Sequence, residues 1–381
     1  MKPLTLAGRL LVAGAMSYSA IACAPSRGAA YENALTSARR EYHAGRYTTA
    51  AEHFDEAART AKVPRDAVFA RYEAAHTRAR AGDVARAARD LRAIADAKPP
   101  NDYSARATFD LANLALQSDA AAGYAELEAA VVRFPETGTA RTALRRLLRR
   151  DDESGPSRTL AHLEALAPKV DKTALASDVA YERAKRLAEL GRIEAARDAF
   201  LDVAKRWPYP GGAYFDDALY RASELEEKLG RPREAVAHLE RLLSVRESSF
   251  MVGSYERPRY VPALQRIIQL YEERLHDRAK AREALHRLYA DFPTSTSRDD
   301  ALWREAELWE KDGDKDTACK RLSTLTSDFP DSRYVPCAVE RCTSIKRPAK
   351  SNAPQGCRAY LTRDRKDEAE SRSEHGATQL R

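Results

Sequence analysis

No run of this sequence sets Val, Ile, Thr and aromatics in alternation for long enough to suggest a sheet, so strands are excluded as its main element. Glycine is scarce, at 16 of 381 residues, while Ala, Arg, Leu and Glu are abundant, a balance that favours helix throughout. Catalytic signatures are missing too: there is no HExxH pair, no phosphate-cradling glycine loop and no GxSxG elbow. The eight histidines (His43, His53, His76, His162, His238, His276, His286 and His375) are scattered, and the carboxylates read as solvated helix faces. Only 39 residues follow Cys342, too few for a cell-wall lytic domain behind the helices, so an enzyme would need its site among them. The expectation is a chain without catalytic activity, metal or cofactor.

Long apolar runs are confined to the N-terminus. Lys2 and Arg9 form a sparse basic region, Leu10 to Ala22 an apolar one and Ala20-Ile21-Ala22 a small-residue cleavage site, the pattern of an export signal over 1–22. It is too short to span a bilayer. The next residue is Cys23, and AIAC resembles the lipobox of bacterial lipoproteins, which implies lipid on Cys23 at the head of a short linker, 23–30. Ordinary signal-peptidase cleavage after Ala22 is the other reading. The remaining four of the five cysteines, Cys319, Cys337, Cys342 and Cys357, cluster near the C-terminus, where they can form two disulfides in an oxidising periplasm and leave Cys23 unpaired. Three connectivities are open. A zinc site lacks the close Cys-x-x-Cys pair it would need.

Charge of one sign is also missing where it would matter. Lys and Arg outnumber Asp and Glu by 64 to 57, but between Ala24 and Cys342 the balance is 53 to 52, because the excess sits in the leader and the tail. A near-neutral body offers no basic stripe for phosphates to follow, so no nucleic-acid partner is expected. Arg145, Arg146, Arg149 and Arg150 form a local exception on one helix, either a solvated face or a contact for anionic lipid or an acidic partner.

What the chain does contain is a repeated helical hairpin. In Asp299 to Pro330, Leu302, Ala306 and Trp309 and then Ala318, Leu322 and Leu325 recur at three- or four-residue spacing, with Gly313 at the turn and Pro330 as a stop. A lone pair of about 34 residues cannot bury its own stripe, so stacked copies are predicted. Gly45, Tyr47, Ala50, Phe54 and Ala57 mark a first unit; Gly82, Ala87, Leu91 and Ile94 a second; Gly123, Leu127 and Ala130 a third. After RRDDESGPS the fourth unit is out of phase and reads as a degenerate joint, 151–170. Ala184, Leu187, Gly191, Ala196, Phe200 and Val203 then set a fifth; Gly230, Ala235 and Leu239 a sixth; and, across the insertion SSFMVGSYERPRY, Ala281 and Leu285 a seventh with His276 at its turn.

The glycine, alanine and aromatic positions resemble those of the tetratricopeptide repeat. The fold implied is an all-α solenoid of about eight antiparallel helix pairs: an N-terminal array over 31–150, the joint, and a C-terminal array over 171–345. The latter ends in a capping helix from Tyr334 to Ser344. Beyond it lies a charged tail, 346–381, expected to be disordered except where Cys357 tethers it. DDALY from Asp216 and DDALW from Asp299, with FP or DFP closing units, resemble the longer-period repeats of Gram-negative envelope proteins of the β-barrel assembly and Tol-Pal-associated types.

In such a stack the first helix of each pair lines the concave face. Tyr72, Tyr181, Tyr220 and Trp303 share one position of that helix, and Asp178, Asp217 and Asp300 another. They form an aromatic ladder flanked by carboxylates, which can either anchor a peptide or pack between adjacent first helices. Phe200 and Trp309 face the repeat core. The expected function is a scaffold in the periplasm, held at the outer membrane by lipid and binding other envelope proteins through the groove. A subunit of an outer-membrane assembly or polymer-export machine and a peptidoglycan-active enzyme are the alternatives.

Overall fold

The computed structural model describes residues 27–245, 258–358 and 361 of the chain. The leader, Cys23 and most of the insertion lie outside the described residues. Among the described residues there are seventeen α-helices and no strand. Sixteen form consecutive pairs: α1 (Ala29–His43) with α2 (Tyr47–Thr60), α3 (Pro64–Arg80) with α4 (Val84–Ala95), α5 (Ser104–Ser118) with α6 (Ala120–Arg133), and α7 (Gly138–Asp152) with α8 (Pro156–Val170). Then come α9 (Ala176–Glu189) with α10 (Ile193–Arg206), α11 (Phe215–Lys228) with α12 (Pro232–Leu243), α13 (Tyr260–Gln269) with α14 (Arg278–Asp291), and α15 (Arg298–Lys311) with α16 (Lys315–Asp328). The last, α17 (Val335–Arg341), caps the series. The fold is an all-α solenoid.

The hairpin turns are built alike. Gly313 sits at φ 86, its N–H bonds the Glu310 carbonyl, and the Asp314 N–H reaches back to Trp309. This closes α15 by the left-handed cap that glycine adopts without steric cost. The Asp314 carboxylate then accepts the Thr317 N–H and caps α16, as Asp83, Asp119 and Asp277 cap α4, α6 and α14. The seventh pair departs from this. Its first helix ends in a π-helical turn, Leu270–Arg274, the Asp277 N–H reaches back to Tyr271, and His276 itself takes φ 51.

Two compact units divide between Leu147 and Leu148, within α7. The first has a core that includes Tyr31, Phe54, Leu91, Phe109 and Leu127. The second holds a core running from Leu160 through Phe200, Leu239 and Ile267 to Leu285, and a further cluster of Leu302, Trp303, Leu322, Tyr334 and Cys337 at its end. Where a degenerate joint was expected, residues 156–170 form a regular helix packed on α9. Pro156 is harmless because it occupies the first turn, where its missing N–H has no helical partner to lose.

The cap is shorter than Tyr334 to Ser344 because Cys342 leaves the helix in an extended conformation to bond Cys319. A second disulfide joins Cys337 to Cys357. Residues 346–358 run back over the end of the array rather than leaving it: Arg347 donates to the carbonyls of Ala353 and Pro354, the Asn352 N–H bonds Asp331 at 2.6 Å, and Ala353 is buried.

A side chain at positive φ carries about 1–2 kcal/mol of steric cost that glycine avoids. His276→Gly should therefore stabilise the second unit by roughly 1 kcal/mol after the entropy cost of glycine is deducted. The expected result is a melting point higher by about 2–4 °C in differential scanning calorimetry. An unchanged or lower value would show that the histidine ring contributes more than its backbone costs.

Candidate functional site

In each first helix of the DDAL(Y/W) type a carboxylate and an aromatic lie three residues apart, on one face. In α9 these are Asp178 and Tyr181, in α11 Asp217 and Tyr220, in α15 Asp300 and Trp303. The structure answers each pair with a residue that opens the next first helix. Tyr214 stacks on Tyr181 with ring centroids 4.3 Å apart and 11° between planes, and its hydroxyl donates to Asp178 at 2.8 Å. Tyr334 stacks on Trp303 at 4.8 Å and 14° and donates to Asp300 at 2.7 Å. Arg259 lays its guanidinium 4.6 Å from the centre of the Tyr220 ring and donates to Asp217. In the first unit Tyr72 packs on Tyr103 at 5.2 Å and donates to Asp110 of α5 at 2.7 Å. The ring is covered by stacking, and a carboxylate holds a polar tip.

These contacts revise the site expected from sequence. Trp303 keeps 3% and Tyr181 8% of its surface, and all seven ladder residues are engaged between neighbouring repeats rather than presented to a ligand. The two tryptophans exchange roles. Trp303 is the core residue, while Trp309 is only half-buried, with the Arg282 guanidinium 3.9 Å from its ring centre. Phe200 is buried as expected.

Protonation follows the same contacts. Burial, then the hydrogen bond to Asp217, pushes the Tyr181 phenol up to about 12. Burial alone would raise the Asp217 carboxyl, but the Tyr181 hydroxyl and the guanidiniums of Arg221 and Arg259 outweigh it and hold the group below the usual carboxylate range.

What stays open on the first-helix side of the second unit is a hollow of about 430 Å³ between α13 and α15. Gln265 and Gln269, one turn apart, form one wall; Ser297, Arg304 and Arg333 stand opposite. Gln265 donates to Ser297 at 3.3 Å, Arg304 pairs with Glu272 at 2.6 Å and Arg333 with Asp300 at 2.8 Å. Amides and guanidiniums at this spacing can meet the carbonyls and N–H groups of a peptide main chain. Sequence reading missed the glutamines, because α13 begins directly after the insertion and carries no aromatic at the ladder position. Among the described residues no group of His, Cys, Asp and Glu has metal-binding geometry, and no helix is long and apolar enough to cross a membrane.

Three stretches, 217–246, 262–295 and 300–332, match the family model of the tetratricopeptide repeat. The chain carries tetratricopeptide repeats. No curated protein matches it in sequence. Similar solved structures include MamA from residue 41 to its end, from Desulfovibrio magneticus RS-1, at 19% identity over 49% of this chain and 91% of that one, TM-score 0.31. The C-terminal part of a tetratricopeptide repeat protein from Cytophaga hutchinsonii aligns at 14% identity over 70% and 99%, TM-score 0.38. Pseudomonas aeruginosa pilF aligns at 17% over 64% and 99%, TM-score 0.35. Within the tetratricopeptide stack, the ladder is mortar between repeats and the glutamine-lined hollow is the open surface.

Two predictions separate mortar from groove. Trp303→Ala removes a buried ring and its stack on Tyr334, and should cost about 3–5 kcal/mol in urea unfolding of the second unit. A variant of unchanged stability that loses partner binding would return Trp303 to the groove. The second concerns pH. An unfolded phenol titrates near 10, so a folded value above it gives stability that is complete below about pH 10 and is lost as pH rises toward 12. The Asp217 contribution runs the other way, present above about pH 4 and lost as pH falls through its lowered value. Tyr181→Phe should flatten the alkaline fall of the urea midpoint and leave an acid limb, since Arg221 and Arg259 still hold Asp217. An unaltered alkaline limb would show that Tyr181 titrates as it does in the unfolded chain.

Proposed function

We propose that this protein is a non-catalytic scaffold of the bacterial cell envelope, exported and held at the outer membrane by lipid on Cys23. It binds a peptide segment of another envelope protein on the first-helix side of its second unit. The observation that carries the reading is the hollow between α13 and α15, polar on its walls and framed by helices whose aromatic and carboxylate groups are already committed to one another. A surface braced in advance loses little conformational freedom on binding, which favours affinity from modest contacts. Tetratricopeptide repeats generally mediate protein–protein interaction. Export is supported by the N-terminal pattern and by two disulfides near the C-terminus, which persist in an oxidising compartment.

One experiment in cells tests the reading. Crosslinking in membranes from cells making the full chain should capture a discrete envelope protein, and Gln265→Ala with Gln269→Ala should reduce that capture roughly tenfold, as the loss of two hydrogen bonds implies, while the melting temperature holds. Cys23→Ala should move the chain from the membrane pellet to the soluble periplasmic fraction. Capture that survives the double substitution removes the hollow from the reading, and a chain that stays in the pellet removes the lipid.

A further inference from the structure

The opposite side of the array has its own opening, independent of the reading above. Between α8 and α10, over α9, lies a furrow of about 680 Å³. Its floor is Ala176, Val179 and Ala180, on the side of α9 turned away from Asp178 and Tyr181, and Ala167, Ala195 and Ala199 keep its walls low. Four carboxylates edge it: Glu164 and Asp171 from the α8 side, Asp198 and Asp202 from α10, each at least half-exposed. Two guanidiniums share the lining. Arg183 stands 3.8 Å from Glu164; Arg206 is 2.6 Å from Asp171 and 3.8 Å from Asp202; Asp198 pairs with Arg197 outside the furrow at 2.8 Å. The lining is left with a surplus of two negative charges.

The first unit shows how the same kind of furrow is closed from within. Between α2 and α4, over α3, Arg78 is buried with its guanidinium bonded to Asp55 on one wall and, at 2.7 Å, to Asp90 on the other. The space there is about 300 Å³. Arg78 stands four residues before the turn glycine Gly82; four residues before Gly191 the chain has Leu187, which is buried and offers no charge. The α8–α10 furrow therefore keeps the acidic walls without the internal cation that spans them in the first unit.

We infer that this furrow docks an arginine-bearing helical segment of a partner protein, its guanidiniums taking the bridging place between walls that Arg78 takes in the first unit. Alanine on floor and walls lets a helix backbone come within the roughly 8–10 Å of ordinary helix packing. The planar guanidinium fits two carboxylates at once, which a point charge does less well.

The test uses the full chain and a fluorescent alanine-based helical peptide with arginines three and four residues apart, beside the same peptide with glutamate in their place. Fluorescence anisotropy should show saturable binding of the arginine peptide alone. Asp198→Lys with Asp202→Lys, two exposed positions, should weaken it at least about tenfold, whereas Asp316→Lys on α16 should change it less than about twofold. Equal binding of both peptides, or an affinity that Asp198→Lys with Asp202→Lys leaves unchanged, would falsify the assignment. Sedimentation of the chain alone gives the last outcome: self-association abolished by the same pair of substitutions would identify the occupant as a second copy and overturn the partner-protein assignment.

Discussion

A helical hairpin buries one face against its own partner helix and leaves another facing along the stack, so the solenoid exists only if each repeat holds the next. In this chain the link in the second unit is a compound contact in which one residue opening a first helix answers two residues of the helix before it. The Tyr214 ring lies on Tyr181 while its hydroxyl reaches Asp178, and Tyr334 does the same to Trp303 and Asp300. Aromatic pairs contribute about 0.5–1.5 kcal/mol beyond the area they bury, and a hydrogen bond to a charged group about 1.5–3. Each interface thus gains a term comparable to the nearest-neighbour couplings that decide whether repeats unfold singly or together.

The same device accounts for the irregular seventh pair. Arg259 takes the place of the answering tyrosine after an insertion, and its guanidinium performs both tasks, over the Tyr220 face and against Asp217. At its other end the helix finishes in a π-helical turn and a histidine at positive φ. The extra backbone width there is accommodated in the turn and not in the interface, which is the economical place for it: a turn can absorb one residue, whereas a shifted interface would lose stack and hydrogen bond together.

Much of the architecture was legible in the sequence because period, turn glycines and small core residues are local signals. Gly313, Ala306 and Leu322 need only their own hairpin to be understood. The ladder was legible as a ladder, since Tyr181, Tyr220 and Trp303 recur in register, but its use was not. Whether such a ring is open or covered depends on Tyr214, Arg259 and Tyr334, which lie more than thirty residues on and outside the repeat's own pattern. That is why Trp303 and Trp309 were assigned the wrong way round: helical phase places both on faces that meet something, and only the neighbouring repeat decides what. The cysteine connectivity was open for the same reason. Cys319 meets Cys342 because the cap folds back on α16, a tertiary event with no short-range trace.

A consequence follows for where recognition can reside. Residues that join repeats are constrained on two sides, by their own helix and by the next, so variation there acts first on stability. Positions released from that duty are those whose neighbours along the stack are polar or small, and in the second unit they fall in two places with different chemistry. The glutamine-lined hollow presents hydrogen-bonding groups with little net charge, suited to a main chain of any sequence. The alanine-floored furrow presents charge and low relief, suited to a particular side chain on a helix. A scaffold that separates general grip from specific selection onto opposite sides of α9 to α15 can change one without disturbing the other, because the clamp between repeats lies between them and depends on neither.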